Sequence, residues 1–162
     1  MSGDLGPRVA ISAAQIFVGR YPDVDLLLVG DESKLLPLLL KDNFRHTRVS
    51  VHHAADVIAM GDDPLFAMRH KKNSSMWVAL DQLRSGAVDA CVSAGNTGAL
   101  LAIARFLVKT FPGVDRPAIC KSMPVDVGFT YMLDLGANIN CTAEQLYQFA
   151  KMGNVLAKST GL

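Results

Sequence analysis

The stretch VDACVSAGNTG, residues 88–98, determines how we interpret the fold. Its first half, Val88 to Val92, has the length and apolar character of a strand, and an apolar helix is expected from Asn96 to Phe111. The glycine-containing loop between them would direct backbone N–H groups and a helix N-terminus at one point. Such a junction is typical of an anion site, and phosphate is the anion that we expect.

Two other turns resemble this loop. The turn DLGAN, residues 134–138, follows the apolar run 131–133, and a capping-box pattern at Thr142 and Gln145 marks the start of the next helix. The turn SGDLGP, residues 2–7, precedes a helix that is expected to end near Tyr21. If the three turns lie at the same edge of a parallel sheet, they converge on one crevice.

The rest of the chain alternates between the two kinds of element. Strands are expected at residues 26–29, 49–51, 118–121 and 131–134, and helices at 32–40 and 75–84. Another helix is expected to start at Pro64, and Pro37 is expected to shorten or kink the helix that contains it. This alternation predicts an α/β fold with a largely parallel sheet, in a single domain over residues 1–162.

Composition excludes several classes of function. The chain has 162 residues, 50% of them hydrophobic, and a formal net charge of +1, which gives no long-range field for nucleic acid. Cysteines 91, 120 and 141 show no disulfide or metal spacing, and we interpret them as core thiols in a reducing cytosol. His46, His52 and His53 suggest no metal site either. We see no transmembrane segment, and we predict a cytoplasmic protein.

Each candidate residue has a structural and a functional interpretation. Gly95 and Gly98 permit close backbone approach, and Ser93, Asn96 and Thr97 add short polar side chains, but a capped turn without a ligand is an equal alternative. The loop has neither the Gly-Lys-Ser/Thr ending of the nucleotide-binding motif nor the G-x-G-x-x-G pattern of the dinucleotide-binding motif. ATP and NAD are therefore disfavoured as ligands.

Further polar residues carry the same ambiguity. Asp134, beside Gly136, would orient a substrate or bond its own turn, and Asp4 would cap the first helix or point into the crevice. Ser74 and Ser75 follow a basic cluster at a helix start. They would form a second anion contact or belong to a solvated turn.

Six segments together closely resemble the bacterial phosphate acyltransferases of the PlsX family. They occur in one order along nearly the whole chain, and the combination of SAGNTGA with LDLGAN is highly specific. The segments are MSGDLGP (1–7), SSMWVALDQL (74–83), ACVSAGNTGALL (90–101), RPAI (116–119), LDLGANINC (133–141) and QFAKMG (148–153).

The resemblance implies an enzyme that transfers a fatty acyl group from acyl carrier protein to inorganic phosphate. The acyl phosphate would then supply a membrane acyltransferase acting on glycerol 3-phosphate, which implies a functional link to that enzyme. The family is homodimeric, peripheral to the membrane and free of metal or organic cofactors. Its fold is similar to that of isocitrate and isopropylmalate dehydrogenases, a three-layer α/β/α arrangement, and this chain would be an amino-terminal fragment without the first strand and the carboxyl-terminal part.

The same resemblance guides the site assignment. We expect Ser93, Gly95, Asn96, Thr97 and Gly98 to bind phosphate or the developing oxyanion, with Asn96 as a catalytic donor. Asp4 and Asn138 would shape the same crevice as further catalytic residues, and the helix from Pro7 and the helix from Asn96 would form a groove for the acyl chain.

Arg69, Lys71 and Lys72 form a hypothetical docking patch for the acidic carrier protein. Two alternatives stay open: a coenzyme A-dependent phosphate acyltransferase of the same fold, and an inactive truncated product.

Overall fold

The computed structural model describes residues 6–41, 44 and 46–161. It divides into two compact units, Met1–Val108 and Lys109–Leu162. The expectation of a single domain stays a prediction.

The first unit begins with two helices and two strands. Helix α1 (Pro7–Arg20) has its proline in the first turn, where the missing N–H costs nothing. Strand β1 (Leu26–Gly30) pairs in parallel with β2 (Val49–His53) in the register Leu26↔Val49. Helix α2 (Glu32–Lys41) connects them, and it continues through its internal proline rather than ending there. This βαβ unit is the parallel element that the sequence predicts.

A small core holds these elements together. Ile11 of α1 is completely buried against Leu35 and Leu39 of α2, and side chains from both strands complete the cluster. Arg48 fixes the end of α1, because its guanidinium donates to the carbonyl oxygens of Val18, Tyr21 and Val24 at 2.6–2.8 Å. Carbonyl groups at a helix C-terminus have no N–H donor within the helix, so the Arg48 guanidinium supplies the missing hydrogen bonds.

Three helices form the rest of the first unit: α3 (Pro64–His70), α4 (Ser75–Ser85) and α5 (Thr97–Leu107). Gly86 adopts the left-handed conformation that ends α4, as the sequence predicts. The three helices share one apolar core with the loop after β2, made of Ile58, Ala67, Met76, Trp77, Leu80, Ala99 and Ile103. This core positions the start of α5.

The second unit is a hairpin and a helix. Strands β3 (Lys121–Pro124) and β4 (Phe129–Met132) pair antiparallel around a turn in which Gly128 has a φ of 83°. Helix α6 (Ala143–Ser159) starts with the complete capping box formed by Thr142 and Gln145, which confirms the sequence pattern.

Three sequence expectations were wrong. Residues 88–92 form no strand: no described segment pairs with them, and Val92 is 97% exposed. The strands expected at 118–121 and 131–134 lie at 121–124 and 129–132, and they pair antiparallel because Gly128 allows a tight return. Helix α5 ends at Leu107 rather than Phe111, since Lys109 has a positive φ of 69° that a helix cannot contain. The fold is mixed α and β with a small parallel sheet.

Candidate functional site

Asn96 organises the loop of residues 93–98. Its side chain is the N-cap of α5, where Oδ1 accepts from the backbone N–H of Ala99 at 3.0 Å. Asparagine suits this position, because its side-chain oxygen satisfies one of the donors that a helix start leaves free. Although it lies at a loop-to-helix junction, the residue is buried, with 7% of its surface exposed.

The amide nitrogen of the same side chain has partners far away in the sequence. Nδ2 donates to the carbonyl oxygens of Ala59, Met60 and Asp62 at 3.3, 3.0 and 2.9 Å. These three carbonyls belong to the turn before α3, so one asparagine connects two loops. Asn96 therefore has both polar atoms engaged within the chain, and its role as a catalytic donor stays a prediction.

Gly98 is required by a close approach of two helices. A Cβ at this position would lie 2.8 Å from Cγ of Pro64, the first residue of α3. Since such a distance is shorter than carbon atoms tolerate, a side chain at this position would force Pro64 or the start of α5 to shift.

The groups left open at this loop are mainly backbone amides. Within the described residues, the N–H groups of Thr97 and Gly98 donate to no acceptor, and both residues are exposed. They form the first turn of α5, where the helix dipole favours an anion. Ser93 is half-buried, and its hydroxyl accepts from the N–H of Gly95 at 3.2 Å. Among the predicted contacts in residues 93–98, the N–H groups of Thr97 and Gly98 are therefore the ones left without an acceptor in the described residues.

Ser74 and Ser75 have structural partners. Ser74 is the N-cap of α4, completely buried, and its Oγ accepts from the N–H of Trp77 at 3.3 Å. The N–H of Ser75, which is also buried, donates to the carbonyl oxygen of Asp56. Their contact with an anion stays a prediction.

The basic cluster is divided by the structure. Nζ of Lys71 lies 2.5 Å from the Asp62 carboxylate and also donates to the carbonyl of Val57 at 2.9 Å. Arg69 and Lys72 are exposed, and Lys72 lies over the Trp77 ring at 5.9 Å from its centre. No observation tests the docking of a carrier protein to these three side chains.

In the second unit, the turn of residues 134–138 is built around a carboxylate. Oδ1 of Asp134 accepts from the N–H groups of Ile119 and Ala137, and Oδ2 accepts from the backbone and side-chain nitrogens of Asn138. Nδ2 of Asn138 also donates to the carbonyl of Pro117. Gly136 provides the positive φ, 78°, that this turn requires.

These hydrogen bonds affect the charge of the turn. Partial burial raises the pKa of Asp134, but the bonds from Asn138, Ile119 and Ala137 outweigh it and hold the pKa below its ordinary value. The carboxylate is therefore stabilised in its ionised form and bonds its own turn, one of the two interpretations that the sequence allowed.

Asp4 lies outside the described residues. The shared crevice of the three turns, and the joint role of Asp4 and Asn138 in it, stay predictions.

The cysteines differ from the expectation of three core thiols. Cys91 and Cys141 are half-buried, and burial raises the pKa of the Cys91 thiol, whereas Cys120 is exposed. The described part of the chain holds no group of three histidine, cysteine or acidic side chains placed to bind a metal ion. Within the same residues, no helix has the length and apolar character needed to cross a bilayer.

An open groove lies between β4 and α6 in the second unit. Its volume is about 280 Å³, and it is lined by Tyr131, Leu133, Leu146, Phe149, Ala150 and Gly153. Sequence reasoning did not identify it, because its two walls come from segments without a common motif. The acyl groove that we expected at α1 and α5 stays a prediction.

Sequence reasoning also missed Asp62 and Pro64 as parts of the candidate site. The run GDDP, residues 61–64, is recognisable only as a turn and helix start. Its contacts with Asn96 and Gly98 span more than thirty residues of chain. No local signal could have found them.

A family comparison places this site in context. Residues 1–161 match the family model described as fatty acid synthesis protein. The chain belongs to this family, which confirms the resemblance drawn from its motifs.

Several relatives are named phosphate acyltransferase. The protein from Cellvibrio japonicus is 59% identical over 162 residues, which are 100% of this chain and 48% of that protein. The relative from Methylococcus capsulatus is 54% identical over 161 residues, 98% of this chain and 47% of its own length. The relative from a Janthinobacterium species is 53% identical over 162 residues, which are 98% of this chain and 45% of that protein. The chain thus spans about half the length of these relatives.

Proposed function

We propose that the complete protein transfers a fatty acyl group from acyl carrier protein to inorganic phosphate, and that residues 93–98 bind the phosphate. The observation that carries this proposal is the start of α5, where Thr97 and Gly98 are exposed residues whose N–H groups donate to no acceptor within the described residues. The names of the relatives support phosphate as the acceptor.

The chemistry requires little beyond positioning. A phosphate oxygen attacks the thioester carbonyl, a C–O bond forms, and the C–S bond breaks as the thiolate leaves and takes up a proton. Because phosphate is already nucleophilic at neutral pH, correct alignment of the two reactants and stabilisation of the oxyanion supply most of the acceleration. Backbone amides at a helix start can serve both purposes without a charged side chain.

Asn96 fits this scheme through the shape that it gives the loop. Its cap orients the first turn of α5, and its bonds to the turn of residues 59–62 hold the loop against α3. In the complete protein we assign Asn138 and Asp4 to the same crevice. A three-layer α/β/α fold similar to the isocitrate dehydrogenases, a homodimer, and a cytoplasmic location at the membrane periphery belong to this proposal.

Arg69 and Lys72 are the exposed cations of the basic cluster, and we assign them to carrier-protein docking. Charged side chains at the rim of an interface mainly affect association rate and its dependence on salt. The acyl phosphate would then be the substrate of a membrane acyltransferase that acts on glycerol 3-phosphate.

The decisive experiment measures acyl phosphate formation by the complete protein, with phosphorus NMR used to detect the product. Acyl carrier protein and coenzyme A thioesters are compared as donors, each with and without inorganic phosphate. We expect product only when phosphate is present and faster turnover with the carrier protein. Preference for coenzyme A would identify the alternative donor, and no phosphate-dependent product with either donor would refute the function.

A further inference from the structure

The turn that receives the amide of Asn96 has little apolar packing of its own. Ala59, Met60 and Gly61 are exposed, and the nearest buried side chain is Ile58, at the start of the turn. A turn so exposed is free to change its shape unless polar contacts hold it. Its carbonyl groups nevertheless fix the position of Asn96, so its conformation matters for the loop of residues 93–98.

Two polar side chains hold this turn closed. The carboxylate of Asp62 accepts from the N–H of Ala59 at 2.8 Å, which ties the end of the turn to its beginning. Lys71, at the end of α3, places Nζ 2.5 Å from that carboxylate and 2.9 Å from the carbonyl of Val57. One ammonium group thus bridges both sides of the turn and connects them to α3.

This ion pair differs from the others in the described residues. The side chain of Lys71 is 27% exposed, whereas that of Lys34, which pairs with Asp31, is 62% exposed; the two carboxylates are similarly exposed, at 23% for Asp62 and 19% for Asp31. The ammonium group of Lys71 also donates to the carbonyl of Val57, so this pair connects α3 with both sides of the turn, whereas Lys34 and Asp31 are three residues apart in the chain. The hydrogen bonds from Lys71 and Ala59 also hold the pKa of Asp62 below its ordinary value.

We propose that Lys71 is a positioning residue for the phosphate loop: through Asp62 it fixes the turn of residues 57–62, and through Asn96 that turn fixes the first turn of α5. The inference rests on the proposed function for the identity of the ligand, but not for the mechanical connection. It assigns Lys71 an internal role instead of contact with a carrier protein.

Amide hydrogen exchange of the 162-residue chain tests the connection directly. In Lys71→Met, we expect exchange to be about tenfold faster at the N–H of Ala59 and also at the N–H of Ala99, which Asn96 caps. Lys71→Arg keeps the charge and its donors and should restore most of the protection. Lys34→Met is the matched control, because it removes a lysine–aspartate pair on α2, and it should leave both amides unchanged.

Phosphate binding provides the second measurement. Inorganic phosphate should shift the amide resonances of Thr97 and Gly98 in the wild-type chain, and Lys71→Met should require about tenfold more phosphate for the same shift. If the wild-type chain shows no shift, the proposed phosphate site fails, while exchange at Ala99 still tests the connection.

The outcomes separate clearly. Unchanged exchange at Ala99 in Lys71→Met, or acceleration at Ala59 alone, would overturn the inference. If Lys71→Met does not fold, Asp62→Asn replaces it: this variant keeps the backbone carbonyl that Asn96 contacts and removes the charge that Lys71 pairs with. Normal protection of Ala99 in a folded Asp62→Asn protein would equally reject the role of Lys71.

Discussion

Asn96 offers a quantitative test of how the candidate site is built, because its two polar atoms do separate work. Oδ1 caps α5 through Ala99, a contact worth about 1 kcal/mol. Nδ2 has two hydrogens directed at the carbonyls of residues 59, 60 and 62, and two such bonds contribute about 2 kcal/mol in total. Three substitutions distinguish the atoms.

Asn96→Ser retains a capping oxygen but no amide, so we expect a loss of about 2 kcal/mol in the free energy of unfolding. Asn96→Ala loses the cap as well and should cost about 3 kcal/mol. Asn96→Asp has the same shape and keeps the cap, but it places a carboxylate oxygen where the nitrogen lies 2.9–3.3 Å from three carbonyl oxygens. It should therefore be at least as unstable as Asn96→Ala at neutral pH.

Urea denaturation followed by tryptophan fluorescence is the suitable assay. Trp77 is the only tryptophan of the chain, and it lies in the core that contains Ala99 and Ile103 of α5. Its signal reports on the first unit alone. If Asn96→Asp proved as stable as the wild type, or Asn96→Ser lost less than about 0.5 kcal/mol, the contacts of Nδ2 would be unimportant and the reasoning would be refuted.

Two further predictions concern the glycines and the acidic turn. Gly98→Ala should destabilise the protein by about 1 kcal/mol in urea denaturation followed by far-UV circular dichroism, which also detects α6, because overpacking against Pro64 at 2.8 Å exceeds the gain in helix propensity. Its control, Gly153→Ala in α6, should be neutral or stabilising, since its nearest contact would be an ordinary 3.6 Å; equal effects would contradict the packing argument. Asp134 should titrate below the ordinary aspartate value of about 3.9 when followed by carboxyl carbon NMR. Because the pKa of Asp134 is lowered on folding, its ionised form contributes fully to the free energy of unfolding above the ordinary value, and this contribution is lost as pH falls through the folded pKa. Asp134→Asn should therefore be less stable than the wild type at pH 7, and the difference in stability should shrink in acid. A difference that stays constant with pH would show that ionisation of Asp134 is irrelevant.

Local signals predicted the ends of helices well. Pro7 at the start of α1, Gly86 after α4 and the pair Thr142 and Gln145 before α6 all act within one turn of chain, so the residues that determine these ends are adjacent in sequence. The strand β1 was also predictable, because the four apolar residues 26–29, followed by a turn signal, suit a parallel strand.

Pairing between distant segments was not predictable in the same way. Residues 88–92 have the composition of a strand, but a strand also needs a neighbour to accept its hydrogen bonds, and no described segment provides one. Composition likewise could not distinguish an antiparallel hairpin at 121–132 from two parallel strands. In the candidate site, the sequence identified Asn96, Gly98 and Lys71, but their partners lie in a turn whose motif indicates nothing more than a helix start.

The contacts of Asn96 also restrict which groups can act on a ligand. Both hydrogens of Nδ2 point to carbonyls of the turn before α3, so a new bond to an oxyanion would require breaking at least one of them. The N–H groups of Thr97 and Gly98 carry no such cost, since they donate to no described acceptor and both residues are exposed. If an anion binds here, the backbone is therefore the better donor, and substitutions at Asn96 should change affinity only as far as they move that backbone. In Asn96→Ser, two measurements test this dependence together: amide exchange at Ala99 and the phosphate concentration that shifts the Thr97 and Gly98 amides. Fast exchange at Ala99 with a wild-type phosphate response would contradict the dependence on loop position. A wild-type response with Ala99 still protected would agree with it.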